Sequence, residues 1–198
     1  IVDQYVLIGA WDDALDLLAR RYPDVDPPLR EPGAVPPGQS PLVAYYRGYV
    51  RAQSGSSPAS DFEAARSLPT TYVFPSRRSS YVVLNEALKT DPSDGTALFL
   101  LGSLYLSSGL VQPAIDSWQQ VRRLRPATPV LHRNLGLALL QRSDYTEARS
   151  VLQEGLAADR DNVDVYLALD AVLSASGASS RDRATALARY PSPDNEKP

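Results

Sequence analysis

From Leu98 onward, apolar residues recur three and four apart, the interval at which side chains share one face of an α-helix. Leu98, Leu101 and Tyr105 form one such stripe, and Ala114 and Trp118 begin a second. Between them stands Gly109, where a helix needs a residue tolerant of positive φ in order to stop. Arg122, Arg123 and Arg125 suit the negative end of the second helix, and Pro126 prevents its continuation. The skeleton returns 34 residues later: Leu101-Gly102 as Leu135-Gly136, Gly109 as Ser143, Ala114 as Ala148 and Trp118 as Leu152. After a second such interval, Tyr166, Leu169 and Leu173 take the places of His132, Leu135 and Leu139. A fixed period of this length predicts helix-turn-helix units, none of which buries its apolar face alone, so that at least three must stack. Gly102, inside the apolar stripe, costs about 1 kcal/mol of helix propensity. A close approach of the paired helix is the expected compensation.

Upstream the pattern is less regular. Ile1 to Ile8 reads as a shortened first helix, and a second opens at Asp12 or Asp13 and ends near Tyr22-Pro23. Seven prolines among the nineteen residues from Pro23 to Pro41 exclude a helix there and predict an extended connection. Pro41 to Ser54 is the next helix, closed by Gly55, with Ala59 to Leu68 as its partner. The interval from Gly48 to Gly55 equals that from Gly102 to Gly109. This register puts Arg47 and Arg51 where the regular repeats carry Leu and Tyr. Residues 68–78 alternate β-branched and aromatic residues between prolines and predict an extended segment. Ser79 or Ser80 is the expected cap of a helix to Lys89, in the second-helix slot of an irregular repeat. Four regions follow: 1–40, a truncated repeat with the Pro-rich connection; 41–92, irregular repeats; 93–191, three regular repeats; and 192–198, a polar tail.

Composition narrows the function. A net charge of −3 argues against nucleic acid, which calls for a basic excess. No run of about 18 apolar residues is present, so no membrane partner is expected. Cysteine is absent, which removes disulfide and thiolate chemistry. The chain lacks Met at its start and has no leader-like segment, which reads as a fragment or processed product. A cytoplasmic setting is favoured on this reading, with periplasmic or secreted ones left open.

These residues resemble the tetratricopeptide repeat family, most closely from Pro92 to Leu173. The resemblance implies an all-α fold, a right-handed α-solenoid whose first helices line a concave groove for an extended peptide or a neighbouring domain. Projected onto this chain, the groove residues are Phe99, Ser103, Leu106, Arg133, Leu137, Gln141 and Leu167, with Asn134 at the edge. Family members that grip a C-terminal carboxylate use Lys, Arg and Asn from three repeats. Here only Arg133 and Asn134 stand in suitable places, which predicts a more apolar groove. The stretches PGAVPPGQSPLVAYYRGY and LPTTYVFPSRR are similar to the C-terminal repeats of large bacterial proteins that carry a β-rich upstream domain. That likeness implies a partner within the same polypeptide, or an accessory, non-catalytic role in a carbohydrate-processing protein.

No residue pattern calls for catalysis, a cofactor or a metal. His132 repeats the core place of Leu98 and Tyr166. Asp159, Asp161 and Asp164 alternate like a calcium loop but lack its central Gly and terminal Glu. Tyr45, Tyr46 and Tyr49 are open to two readings: a stacking platform for a peptide or sugar through Tyr45 and Tyr49, or a core pair, Tyr46 and Tyr49, with Tyr45 half exposed. Tyr72 and Phe74 are expected to plug the place of the irregular repeat's missing first helix. The leading function is a protein-interaction scaffold.

Overall fold

Three helices begin at Gly95, Pro129 and Val163 and end at Ser107, Gln141 and Ala175, so the 34-residue period of the sequence is also the period of the backbone. The computed structural model describes residues 2–20, 37–70, 73–124 and 129–188. Among these residues all regular structure is helical. In chain order the helices are α1 (Val2–Ile8), α2 (Trp11–Ala19), α3 (Pro41–Gln53), α4 (Ala59–Ser67), α5 (Arg78–Thr90) and α6 (Gly95–Ser107). They continue as α7 (Val111–Leu124), α8 (Pro129–Gln141), α9 (Tyr145–Ala158), α10 (Val163–Ala175) and α11 (Ser180–Leu187). A single 3-10 turn, Pro37–Gln39, precedes α3. Most of the Pro-rich connection, Tyr72, Arg125-Pro126 and the 192–198 tail lie outside the described residues.

One turn chemistry closes the first helices. Gly9, Gly55, Gly109 and Gly177 have φ between 72° and 80°, and Ser143, in the matching place, has φ 63°. The residue after the turn donates its N–H to a carbonyl five back: Ala10 to Tyr5, Ser56 to Arg51, Asp144 to Leu139 and Ala178 to Leu173. These bonds satisfy carbonyls that the helix end leaves without partners. The sequence placed stops at Gly55 and Gly109 and matched Ser143 to Gly109; Ser143 adopts the same left-handed geometry at a steric cost.

The chain packs as two compact units, Ile1–Ser107 and Ser108–Pro198. In the first, α2 packs on α3, α3 on α4 and α5, and α4 and α5 on α6. Its core holds Ala14, Tyr45, Val50, Phe62, Ala65, Val83, Leu84 and Leu100. Gly48 is the contact of closest approach between α3 and α4, since a Cβ there would lie 2.4 Å from the Phe62 ring. In the second unit α8 packs on α7, α9 and α10, and α10 on α9 and α11. Trp118, Leu131, His132, Leu135, Leu139 and Leu152 are its large buried side chains. Burying each of these leucines contributes roughly 1.5–3 kcal/mol. A Cβ on Gly136, the counterpart of Gly102 one repeat on, would lie 2.6 Å from Leu152, so at Gly136 the missing side chain serves helix approach.

Three local expectations change. Helix α2 opens at Trp11 and ends at Ala19, because Arg20 already has extended backbone, ψ 134°. Helix α5 starts at Arg78, with Arg77 as the extended residue before it. Ser79 and Ser80 therefore lie inside the helix, and their hydroxyls bond to Tyr46 and Asp3 across helices instead of capping. Phe74 is 74% exposed, so it plugs nothing in the first unit. Residues 73–76 are irregular, without strand pairing.

Candidate functional site

Helices α8 and α10 lie side by side in the second unit and carry most of the expected groove residues. Leu167 is 62% and Val163 50% exposed, and with exposed Ala171 they recur at four-residue intervals along α10. On α8, Leu137 is half-buried, Gln141 exposed, and Val130 adds a further exposed apolar side chain. The result is an apolar strip across two neighbouring helices, with Val163, Val130 and Ala171 added to the residues the repeat pattern named. Their exposure carries no signature in the one-dimensional pattern, because Val163 and Val165 differ only in the helix face they occupy.

Arg133 is placed at the edge of this strip, but its guanidinium is engaged by neighbouring side chains in a partly exposed pair. Nη1 donates to Asp164 Oδ2 at 3.0 Å, while Nε and Nη2 donate to Asn134 Oδ1 at 3.2 and 3.1 Å. Arg133 and Asn134, the two residues in places suited to gripping a carboxylate, therefore bond to each other and to Asp164. Asp164, named in the sequence only within an incomplete calcium-loop pattern, supplies the partner from the next repeat. This occupies the Arg133 donors, and apart from Gln141 the other exposed side chains of the strip are apolar.

The residues expected from the first unit divide differently. Phe99 is buried, so it belongs to the core and not to an open groove. The Ser103 hydroxyl turns back to the Phe99 carbonyl at 3.1 Å, a habit of serines inside helices. Leu106 is half-buried. Tyr45 is fully buried, which reverses the reading that left it half exposed. Its hydroxyl donates to Asp94, 2.9 Å from either carboxylate oxygen, and Asp94 accepts the Thr96 and Ala97 N–H groups at the start of α6. Burial is the main reason that the Asp94 carboxyl is held above its ordinary range, and burial likewise raises the Tyr45 hydroxyl. Tyr49 is half-buried, so no pair of exposed rings forms the platform expected of Tyr45 and Tyr49.

A second polar node joins α1, α3 and α5. Asp3 accepts from Tyr46 at 3.3 Å, from Arg77 at 2.8 Å and from Ser79. Burial raises the Asp3 carboxyl, but the Ser79 bond and the charge of Arg77 outweigh it, and the net direction is down. The node borders a cavity of about 550 Å³ whose other walls include Leu17, Leu18, Leu42, Val43 and Pro75. No sequence motif announced it, since its residues come from four separate segments.

The remaining candidates are structural. His132 is fully buried beside Gly155, whose missing Cβ would lie 2.7 Å from the His132 Cβ. Asp159 accepts from Asp161 N–H and from the Asn162 side chain, and Asn162 caps α10 through Val165 N–H. Arg122 pairs with Glu154, Nε to Oε2 at 2.9 Å, so it also ties α7 to α9. Among the described residues, no helix is long and apolar enough to cross a membrane.

Comparison with known proteins agrees with this repeat geometry. The tetratricopeptide repeat family matches residues 83–127 and, overlapping them, 109–163. Among solved structures, MamA AMB-1 superposes with a TM-score of 0.55 at 15% identity, covering 98% of this chain and 88% of that one. MamA 41-end from Desulfovibrio magneticus RS-1 gives 0.51 at 18% identity, covering 95% and 86%. A further MamA crystal structure gives 0.50 at 22% identity, covering 72% and 69%. Identities this low speak for the fold alone: an all-α, tetratricopeptide-type repeat architecture. A comparison with curated proteins gives no match.

Proposed function

We propose that this chain is a protein-interaction scaffold and that the strip on α8 and α10 is the surface that takes a peptide segment or a neighbouring domain. The observation that carries the reading is the exposure of Val163 and Leu167, with Ala171, on the helix row where repeat arrays of this kind receive their ligands. Isolated exposed apolar residues are ordinary, but a run of them at helical spacing beside Leu137 is a contact surface. Recognition through this strip is apolar, because Arg133 is already bonded to Asp164 and Asn134. A partner domain within the same polypeptide would use the same surface as a separate protein. Phosphate-rich partners fit poorly, given a net charge of −3.

The test is site-specific photocrosslinking in the native host, with the reactive group at position 167 or at exposed Gln153 on α9. Adducts to one protein segment are expected from position 167 and not from 153, and Leu137→Glu should abolish them. The double change Arg133→Ala with Asn134→Ala should weaken them less, since the Arg133 donors are already bonded to Asp164 and Asn134. Equal labelling from both positions, or none from 167, would overturn the assignment.

A further inference from the structure

Two glycine contacts align the α3–α4 hairpin with the α8–α9 hairpin: Gly48 against Phe62 corresponds to Gly136 against Leu152. The residue before each glycine is then Arg47 or Leu135, and the third after it is Arg51 or Leu139. The residue before each large side chain is Asp61 or Val151. Leu135, Leu139 and Val151 are all buried aliphatics. Their counterparts in α3–α4 are two cations and an anion. Arg47 Nε donates to Asp61 Oδ1 at 3.0 Å, and Arg51 Nε lies 2.8 Å from Oδ2. The Asp61 side chain is only 10% exposed, against 30% for Arg47 and 45% for Arg51.

Stability does not account for this exchange. A buried carboxylate loses hydration that half-exposed arginines return only in part, and packed aliphatic side chains generally do better. What the trio supplies is orientation. Arg47 is anchored by its Nε hydrogen bond, Arg51 is held by charge beside an Oδ2 that accepts no hydrogen bond, and the terminal N–H groups of both are engaged by no other described residue. Two planar donor sets are thus gathered about one buried carboxylate, one by a hydrogen bond and one by charge, in a group with one net positive charge. Guanidinium edges match a carboxylate with two parallel hydrogen bonds. One carboxylate also neutralises the group, whereas a phosphate dianion would place excess negative charge beside Asp61.

The geometry points to an oxyanion site on α3–α4, in which Arg47 and Arg51, positioned by Asp61, take a carboxylate side chain from an acidic peptide of a partner protein. The site is independent of the α8–α10 strip. Its probe is a blocked tetraglutamate peptide, titrated at constant ionic strength against the full chain while the arginine Nε–H resonances are followed by NMR. Sodium phosphate and sodium chloride are run as parallel arms. The peptide should shift the Arg47 and Arg51 resonances saturably. The variant Arg47→Leu, Arg51→Leu, Asp61→Val, which restores the α8–α9 pattern, should melt higher than the parent and bind the peptide about tenfold more weakly or worse. Should that variant fail to fold, Arg47→Gln with Arg51→Gln must show the same loss of binding. The site is overturned by unshifted resonances, by equal shifts with chloride, or by undiminished binding in the variant. Stronger binding of phosphate than of the peptide would overturn the carboxylate assignment.

Discussion

Replacing Tyr45 with Phe deletes a single oxygen and leaves the ring in its place against Phe62, 6.1 Å between centroids. The lost group is the hydroxyl that donates to Asp94, a carboxylate itself buried at the start of α6. A hydrogen bond to a charged group contributes about 1.5–3 kcal/mol, and here no water reaches the site to replace it. For a chain of this length each kcal/mol moves the melting midpoint by about 2–4 °C, so a fall of roughly 3–12 °C is expected. The effect also has a pH signature. Burial holds the Asp94 carboxyl above its unfolded value of 3.8, while the Tyr45 hydroxyl pulls it back down. A raised carboxyl keeps its proton in the folded state where the unfolded chain has released it. Its contribution therefore declines as pH rises from 3.8 through the folded value and is level above that. Tyr45→Phe pushes the folded value higher still, so its deficit should be greatest near neutral pH and smaller in acid. Urea unfolding followed by circular dichroism near pH 7 and near pH 4.5 measures both. A deficit under about 0.5 kcal/mol, or one equal at the two pH values, would refute the assignment of Tyr45 as the partner of ionised Asp94.

Gly48→Ala puts a methyl group 2.4 Å from the Phe62 ring, and Gly136→Ala puts one 2.6 Å from Leu152. Overpacking of about 1–3 kcal/mol should exceed the roughly 1 kcal/mol gain in helix propensity, and chemical denaturation should find both variants less stable. Ser143→Gly should act oppositely, because φ 63° strains Ser and not Gly. The net gain, about 0.5 kcal/mol after the added flexibility of the unfolded chain, is readable as a small rise in melting temperature. In acid the whole chain should lose stability through Asp3, Asp91 and Asp170, all held below 3.8 in the fold. Hydrogen bonds from Ser93 are the main cause at Asp91, and one from Arg183 at Asp170. Their contributions are complete above 3.8 and vanish as pH falls through the folded values. Arg183→Gln should therefore flatten the acid limb of a melting profile.

Much of the regular half could be read directly from residue spacing. The positions of Gly102, Gly136, Gly109 and Ser143, together with the Ala114–Trp118 and Ala148–Leu152 pairs, announce helix, stop and partner helix in turn. These are local demands, met within one hairpin, and the helices at Gly95–Ser107, Pro129–Gln141 and Val163–Ala175 obey them. The burial of His132 and Trp118 follows for the same reason, because each repeats a core position of the array. The irregular half was less legible. Ser79 and Ser80 look like caps in one dimension, and only the arrival of Tyr46 and Asp3 from distant helices makes them cross-helix partners.

The surface divides along the same line. That Arg133, Asn134 and Leu167 stand on first helices is a matter of periodicity, a property of the chain alone. That Arg133 bonds to Asp164 and that the Tyr45 hydroxyl meets Asp94 are matters of what arrives from residues tens of positions away. Helical periodicity is enforced by backbone hydrogen bonds between near neighbours and survives in the order of residues. Exposure and charge pairing depend on which helices pack together, and that is written in the assembled fold.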